Sequence, residues 1–312
     1  MVTVNKYQSE DKAKWDSYIK CSKNGTFLFF RDYMDYHSQR FADHSILFYD
    51  LDHSLIGVMP ANAEGDTIIS HGGLTFGGIV TGNSMTASKM IAAFDTLGNY
   101  LSKNGFKKLV YKCIPYVYHR LPANEDRYAL FLHNAKLSRC DLSTTVFMPE
   151  QICFSSRRRR GIKKAKRHNV QIRISSDYRS FIDIVAKLLQ EKYNAYPTHN
   201  YQEISTLAQT FPHSIKLFAA YYEETMVAGV VVYEHSLVAH AQYIAANETG
   251  KRIGALDLVF EYLIQNYYKE KLFFDFGIST EQGGYFLNEG LITQKEEFGA
   301  RAVVYETYEL DI

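Results

Sequence analysis

Two stretches of this sequence, KLFAAYYEETMVAGVV at residues 216–231 and ILFYDLDHSLIGV at residues 46–58, follow the same plan. Each begins with an apolar strand, continues through a polar turn and ends with a second apolar strand that carries Gly-Val. Their registers agree, because Leu217 lies 170 residues after Leu47 and Gly229 lies 172 residues after Gly57. A period of this length is too long for a solenoid repeat. The pattern therefore predicts two copies of one domain with a cleft between them.

The segments that follow each hairpin alternate between strand and helix patterns. In the first half, an amphipathic pattern predicts a helix over 85–103 that ends near Asn104-Gly105. In the second half the patterns predict strands over 238–246, 273–277 and 302–310, a loop over 247–253, and helices over 254–268 and 289–297. This order predicts an α/β fold with mixed sheets, divided into domains at 1–150 and 151–312.

Length and composition restrict the class of protein. A chain of 312 residues predicts about two domains. A net charge of +1 gives no bulk attraction to nucleic acid or membrane, so any such attraction requires a local patch. The polar start does not resemble a signal peptide, and no stretch approaches the ~18 apolar residues of a membrane span. We expect a cytoplasmic protein without a metal, whose cysteines are reduced core thiols: Cys21, Cys113, Cys140 and Cys153.

A glycine-containing segment at 248–255 lies between a predicted strand and the start of a predicted helix. Backbone N–H groups and the helix dipole at such a place favour an anion such as pyrophosphate. The expected ligands are Gly250, Lys251, Arg252 and Gly254. The segment matches neither a Walker loop nor a dinucleotide-binding glycine fingerprint. The alternative is a simple strand–helix connection in which glycine permits close packing.

A strongly basic helix is predicted to open the second half. Eight of the eleven residues from 157 to 167 are Arg or Lys. At helical spacing Arg157, Arg160 and Lys164 share one face, and these charges would repel one another without anions. They therefore predict a phosphate-bearing ligand, whereas the alternative is a solvated charged face.

Several segments together resemble the GNAT acyltransferase fold and, more narrowly, the FemAB-like tandem GNAT enzymes. The similarity rests on the order of hairpin, strand, glycine-containing loop, helix and strand, and it covers nearly the full length. The segments that carry it are 287–291 (LNEGL), 295–300 (KEEFGA), 274–277 (FDFG) and 115–119 (PYVYH).

The resemblance implies transfer of an acyl group to an amine or hydroxyl. GNAT enzymes typically use acetyl-CoA or another acyl-CoA, and the aminoacyl branch uses charged tRNA with a nucleotide- or lipid-linked cell-wall precursor. Two positions depart from the family pattern. Arg252 occupies the place of the earlier glycine in the GNAT pyrophosphate motif, and Gln294 replaces the aromatic residue that commonly precedes the lysine matching Lys295.

Acyl transfer needs a base, a donor to the developing oxyanion and an acid for the leaving group. The resemblance makes Lys295 the expected oxyanion donor, with backbone N–H groups around Tyr243 and Ala245 as a second choice. Asp275, Glu281 and His240 are the candidate bases. For Asp275 and His240 the alternative is a structural role as satisfied core residues. No arrangement for covalent catalysis is evident, which favours direct attack in a ternary complex.

These features predict a donor-binding second domain and an acceptor-binding first domain. Residues just after a strand end in the first half are expected to contact the acceptor: Tyr116, Tyr118, His119 and Arg120. The expected activity moves an acyl group from an acyl-CoA, acetyl-CoA in the first place, to an amino or hydroxyl group of a sugar or cell-envelope precursor. One alternative is aminoacyl transfer from tRNA to a peptidoglycan precursor. The other is a non-catalytic module that binds phosphorylated glycans.

Overall fold

The computed structural model describes residues 2–312, except for the side chains of residues 192 and 193, and divides into two compact units. The first unit contains the chain up to Leu142 together with Thr280–Phe286 and Val304–Ile312. The second contains Ser143–Ser279 and Leu287–Val303. The chain therefore enters each unit more than once. The predicted domain boundary at 150/151, with an acceptor-binding first domain and a donor-binding second domain, stays a prediction.

The first unit contains short strands and four helices. Its helices are α1 (Lys12–Cys21), α2 (Arg31–Met34), α3 (Ala87–Lys103) and α4 (Glu125–Leu132). Its strands are β1 (Thr3–Lys6), β2 (Ala42–Asp43), β3 (Ile46–Tyr49), β4 (Leu55–Met59), β5 (Asn62–Glu64), β6 (Thr67–Ile69), β7 (Val80–Thr81), β8 (Lys108–Lys112) and the first part of β9 (Lys136–Phe147). One sheet has the order β1-β3-β4-β7, and β6 runs parallel to β8.

The core of the first unit forms against one face of α3. The buried residues of this helix recur at helical spacing, and they are Met90, Ala93, Phe94, Leu97 and Leu101. Thr86 caps the helix start by accepting a hydrogen bond from the backbone N–H of Lys89, and the helix ends at Asn104 as predicted. Buried residues of β3, β4 and β8 complete this core.

The second unit contains a larger sheet with helices around it. Its helices are α5 (Ser156–Arg167), α6 (Tyr178–Tyr193), α7 (Tyr201–Thr210), α8 (Glu248–Ile253), α9 (Ala255–Tyr262) and α10 (Glu289–Glu296). Its strands are β10 (Gln171–Ser175), β11 (Ile215–Tyr222), β12 (Thr225–Glu234), β13 (Val238–Ala246), β14 (Phe273–Ile278) and the later part of β9. The remaining strands of the chain are β15 (Thr280–Glu281), β16 (Phe286–Leu287) and β17 (Arg301–Asp311).

Strands β13 and β14 are the parallel pair of the second unit, and they separate after three residues. The pairing joins Val238–His240 to Phe273–Asp275 and stops there. On its other edge, β13 continues along β12 with a register shift, because Val231 pairs with Tyr243 whereas Val232 pairs with Ala241. Gln242 is therefore the extra residue of a β-bulge. Beyond His240, β12 is the only strand that pairs with β13 among the residues that the structure describes.

Most predicted elements are present. Both hairpins form, with Gly57 paired to Phe48 and Gly229 paired to Ala219, and the α/β fold with mixed sheets is confirmed. The predicted loop over 247–253 is wrong, because Glu248–Ile253 is the helix α8. The Asn247 side chain caps this helix by accepting from the N–H of Gly250, a start signal that the glycines obscured.

The expectation of core cysteines is wrong for most of the set. Only Cys113 is buried, whereas Cys140 is half-buried and both Cys21 and Cys153 are exposed. Cysteine is usually a buried residue, but a chain without a disulfide or metal constraint can place it on the surface.

The turn between β11 and β12 provides a stability prediction. Glu223 and Glu224 have φ angles of 49° and 59°, the left-handed values of a type I′ turn, in which asparagine and glycine are favoured. Glu223→Asn should therefore raise the free energy of unfolding by roughly 0.5–1 kcal/mol. Urea unfolding measures this change. Glu270→Asn, at an exposed glutamate without a positive φ, is the control, and equal effects of the two substitutions would contradict the turn argument.

Candidate functional site

A buried carboxylate, Asp275 on β14, organises the polar centre of the second unit. Its side chain is fully buried. Oxygen Oδ1 accepts a hydrogen bond of 2.6 Å from the Ser143 hydroxyl and one of 2.9 Å from the backbone N–H of Gly277. Oxygen Oδ2 lies 2.8 Å from Nδ1 of His240. Because both oxygens are hydrogen-bonded, the burial of this charge is compensated.

His240 lies on β13 directly opposite Asp275, in the last residue pair before the strands separate. A carboxylate only accepts hydrogen bonds, so Nδ1 of His240 must carry the hydrogen that faces Asp275. This contact fixes the orientation of the ring. A second buried histidine, His235, is near this pair, and burial lowers its pKa well below the usual range.

Lys295 on α10 brings a buried ammonium group to the same place. It is 4% exposed, and Nζ donates hydrogen bonds of 2.8 Å and 2.7 Å to the backbone carbonyls of Gly277 and Ile278. Burial lowers the pKa of Lys295 to about 8, although the nearby charge of Asp275 opposes this shift. Two of the three ammonium hydrogens are thus engaged by backbone carbonyls.

Gly277 connects these groups through its own backbone. Its N–H donates to Asp275 and its carbonyl accepts from Lys295. A φ of 75° makes this geometry possible and favours glycine at this position. The structure therefore brings together three of the four predicted catalytic residues: Asp275, His240 and Lys295. Glu281, the fourth, lies on β15 in the first unit.

Ser143 is a member of this cluster that the sequence analysis missed. It is fully buried on β9. The alternation of that strand makes Ser143 share a face with Asp141 and Thr145, which was a usable signal for an inward-facing hydroxyl. Nothing in the sequence indicated which carboxylate it would contact, because the two residues are 132 positions apart.

The edge of β13 beyond His240 carries the other predicted backbone donors. Tyr243 and Ala245 lie in this stretch, after the bulge at Gln242. The Tyr243 hydroxyl contacts Nδ1 of His199 at 2.5 Å, and burial raises its pKa to about 12. The Oε1 atom of Gln242 is buried and has no hydrogen-bond partner within the part of the chain that the structure describes. A buried acceptor in this state is a feature that a ligand could satisfy.

Close packing and local contacts account for the residues around α8 that were predicted to bind phosphate. A side chain at Gly250 would contact the carbonyl of Val227 at 2.2 Å, and one at Gly254 would contact the carbonyl of Gly161 at 2.6 Å. The N–H of Gly250 is occupied by the Asn247 cap, Lys251 pairs with Glu248 at 2.6 Å, and Arg252 is exposed. A phosphate-binding role for these residues stays a prediction.

A cavity of about 290 Å³ adjoins this region. It lies beside the end of β13, and α6 and the start of α8 provide its walls. Its lining residues are Asp183, Ile184, Lys187, Leu188, Glu191, Ala246, Asn247, Glu248 and Lys251.

The basic helix α5 separates into a buried and an exposed part. Arg158 is buried and forms ion pairs with Asp257 at 2.8 Å and Glu297 at 2.6 Å, so it connects α5 to the segments around α9 and α10. Arg157, Arg160 and Lys164 are exposed on the predicted common face. No ion pair to any of these three side chains is present among residues 2–312.

Four residues of the first unit were predicted to contact the acceptor substrate, and the side chains of three of them form hydrogen bonds within the protein. The Tyr118 hydroxyl lies 3.1 Å from that of Tyr305, and Nε2 of His119 lies 3.0 Å from the carbonyl of Ile114. Burial lowers the pKa of His119 to about 4. Arg120 donates to the carbonyls of Lys20 and Ser22. Tyr116 is 52% exposed. Contact of these residues with an acceptor stays a prediction.

Comparisons with known proteins bear on the fold and the class of protein. A family model for the acetyltransferase (GNAT) domain matches residues 154–286. This chain is a GNAT-fold acyltransferase, FemAB-like in its fold. No curated protein sequence matches it significantly.

Solved structures of low sequence identity share the fold of this acyltransferase. FemX is 10% identical with a TM-score of 0.68, over 99% of this chain and 97% of FemX. The C-terminal domain of a putative lysylphosphatidylglycerol synthetase from Agrobacterium fabrum is 10% identical with a TM-score of 0.62, over 96% and 91%. A tandem GNAT protein from the clavulanic acid biosynthesis pathway is 9% identical with a TM-score of 0.54, over 100% and 98%.

Two other kinds of feature are absent from the part of the chain that the structure describes. Among residues 2–312, no helix is both long and apolar enough to cross a membrane. Nowhere in the part of the chain that the structure describes do three or more His, Cys, Asp or Glu side chains form a group that could hold a metal ion.

The contacts of Asp275 lead to a prediction about His240. Asp275→Asn keeps the size of the side chain but places an amide N–H₂ opposite Nδ1, so the ring hydrogen should move to Nε2. Loss of the charged hydrogen bonds should lower the free energy of unfolding by about 1–3 kcal/mol. Nitrogen-15 NMR of the histidine ring measures the tautomer. Asp66→Asn, at an exposed aspartate of the first unit, is the control, and an unchanged His240 tautomer in Asp275→Asn would contradict the assigned geometry.

Proposed function

We propose that this acyltransferase moves an aminoacyl group from an activated ester to an amino or hydroxyl group of a cell-envelope precursor, with the chemistry in the second unit. The observation that carries the proposal is the buried Asp275–His240 pair beside Lys295, at the point where β13 and β14 separate. This arrangement supplies a base, an orienting carboxylate and a cationic hydrogen-bond donor in one water-poor place.

In the proposed reaction the acceptor attacks the ester carbonyl directly. A bond forms between the acceptor nitrogen or oxygen and the carbonyl carbon, and the bond from that carbon to the leaving ester oxygen breaks. His240 takes the acceptor proton on Nε2 while Asp275 stabilises the ring cation, and the proton then passes to the leaving oxygen. The third N–H of Lys295 stabilises the negative charge that develops on the carbonyl oxygen.

An aminoacyl ester is favoured over acyl-CoA by the region around α8. The N–H of Gly250 is already capped, and Arg252 departs from the GNAT pyrophosphate motif. One of the structural neighbours is named as a putative lysylphosphatidylglycerol synthetase, and the FemAB resemblance implies charged tRNA as the donor. The exposed face formed by Arg157, Arg160 and Lys164 would then contact phosphates of the RNA backbone.

Acyl-CoA is the second candidate donor, and one observation favours it. The unpaired edge of β13 after His240, with the bulge at Gln242, offers backbone hydrogen bonds to an extended ligand chain. Native mass spectrometry after incubation with acetyl-CoA, longer acyl-CoAs and aminoacyl-tRNA distinguishes the donors. Retention of acyl-CoA alone would replace the aminoacyl proposal, and retention of neither donor would favour the alternative of a glycan-binding module.

The role of Lys295 can be tested by kinetics. Lys295→Met removes the ammonium charge, so kcat should fall about 10²–10³-fold with a much smaller change in KM. Because the protonated amine is the active form, wild-type activity should also decline as the pH rises through about 8. Lys269→Met, at an exposed lysine, is the control for removing a charge. A lower melting temperature with near-normal kcat would assign Lys295 a structural role only.

The basic face of α5 can be tested by RNA binding. Changing Arg157, Arg160 and Lys164 together to Gln should weaken tRNA binding about tenfold or more and reduce the slope of log Kd against log salt by about 2–3. Filter binding at several salt concentrations measures both quantities. The matched control changes Lys103, Lys107 and Lys269 to Gln, which removes the same charge elsewhere. If the α5 variant and the wild type bind tRNA with equal affinity, the basic face of α5 is a solvated charged surface and not a phosphate-binding site.

A further inference from the structure

A cavity of about 420 Å³, the turn cavity, opens where α5 ends, beside the turn between β11 and β12. Its volume falls within the range of ~300–1,000 Å³ that is typical of ligand sites. The cavity lies entirely within the second unit, and none of its side chains belongs to the polar centre around Asp275. Its lining residues are Arg167, His168, Asn169, Gln171, Arg173, Tyr221, Tyr222, Glu223 and Glu224.

Flat side-chain groups line the turn cavity. The rings of His168 and Tyr222 meet edge to face, with their centroids 6.0 Å apart. The guanidinium group of Arg173 lies over the ring of Tyr221, 5.1 Å from its centroid. Aromatic rings and guanidinium planes are the groups on which proteins stack unpaired bases. The cavity therefore offers stacking surfaces to a flat ligand.

The two glutamates of the turn hold these groups in place. Glu224 accepts two hydrogen bonds of 2.9 Å from the guanidinium group of Arg173. A hydrogen bond with Glu223 raises the pKa of Tyr222. Both glutamates have the left-handed φ angles for which folding alone favours asparagine or glycine. Backbone strain of this kind clusters at ligand sites, and here the strained residues supply the side chains that orient the cavity lining.

The charges around the turn cavity select a ligand that is neutral on one side and anionic on the other. Inside the cavity, the carboxylates of Glu223 and Glu224 would repel an anion. Arg167, at the end of α5, is exposed, and the charge of the exposed Arg252 acts on the hydroxyl of Tyr222, where it opposes the effect of Glu223 on the pKa. Within the described chain, neither of these two arginines takes part in an ion pair. A nucleotide has this division, because its base is neutral and its phosphate is anionic.

The basic face of α5 leads to the turn cavity. Arg167 follows Arg157, Arg160 and Lys164 at helical spacing, so it extends the exposed face that these three residues form. The helix rises ~15 Å from the first of these residues to the last. A strand of RNA whose phosphates follow this face would reach the cavity at the C-terminal end of α5.

We propose that the turn cavity binds the base of an unpaired nucleotide in an RNA strand whose phosphates lie along α5. The side-chain amides of Asn169 and Gln171 offer hydrogen-bond donors and acceptors to the edge of the base. The adjoining phosphate contacts Arg167 and Arg252. This inference rests on the proposed aminoacyl-tRNA donor, because it names a place where the RNA of that donor is held. It does not rest on the catalytic roles proposed for the polar centre.

Fluorescence anisotropy with a labelled single-stranded RNA of ~10 nucleotides tests the proposal. The wild-type protein should bind this strand about tenfold more tightly than an abasic strand with the same number of phosphates, because only the first has bases to stack. Tyr222→Leu removes the ring but keeps an apolar side chain. It should weaken binding of the full strand about tenfold and leave the slope of log Kd against log salt unchanged, because the ring carries no charge.

Two further variants control for the structural effect of this substitution. Tyr222→Phe keeps the ring, so it should bind the full strand within about threefold of the wild-type affinity. Tyr128→Leu makes the same change at a tyrosine that is 53% exposed in the first unit, and it should leave the affinity unchanged.

A charge variant separates the phosphate contact from the base contact. Arg167→Gln should weaken binding of the full and abasic strands alike and reduce the salt slope of both by about 0.7. Equal binding of the two strands by the wild type, or wild-type affinity in Tyr222→Leu, would overturn the proposal. Uridine monophosphate that binds as tightly as the full strand would assign the cavity to a free nucleotide and overturn the RNA assignment. Strand binding requires no turnover, so its failure and the failure of the proposed chemistry, which the kinetics of Lys295→Met measure, are separate results.

Discussion

The polar centre of the second unit depends on one buried charge, the carboxylate of Asp275. An ionised carboxylate without partners would be far too costly to bury in an apolar sheet, and Asp275 avoids this cost through three hydrogen bonds. The same bonds determine the surrounding geometry. They fix the tautomer of His240, orient the Ser143 hydroxyl and turn the chain at Gly277, whose carbonyl then accepts from Lys295. The acid–base group and the cation are therefore positioned by one structural requirement.

Each unit contains a lysine whose ammonium group is held by two backbone carbonyls of a loop. In the second unit Lys295 donates to Gly277 and Ile278, and in the first unit Lys112 donates to His71 and Leu74. Burial lowers the pKa of both side chains to about 8, with an aspartate opposing the shift in each case. The two units thus share a way of stabilising a buried cation as well as a strand plan. In the second unit, the lysine lies beside a histidine–aspartate pair.

The strand plan and the site of the second unit are connected through the pairing of β13 and β14. Parallel strands need a crossover connection, which α8 and α9 provide. The pairing stops at His240 and Asp275, so the last paired residues are the ones that carry the acid–base chemistry. Beyond them, the bulge at Gln242 disrupts the ladder. The end of the parallel pairing and the buried polar cluster therefore involve the same two residues.

The sequence determined the elements whose signal is local. Hydrophobic period and turn residues were sufficient for both hairpins, for α3 with its end at Asn104, and for the exposed basic face of α5. Local signals gave a wrong prediction where the same residues were compatible with both a loop and a helix. The glycines of 248–254 resembled a loop, although Asn247 caps a helix there and the glycines permit close contact with Val227 and Gly161.

The tertiary structure alone decided which polar side chains meet. Family resemblance pointed to Lys295, and Asp275 and His240 were candidate bases, but the sequence did not identify Ser143 as the third group on the carboxylate. Likewise, a run of basic residues did not reveal that Arg158 is buried between Asp257 and Glu297 while its neighbours face solvent. The physical reason is that hydrogen bonds and ion pairs act over a few ångströms in space. The residues that form them here are separated by tens to more than a hundred positions, and sequence periodicity carries no information about such pairings.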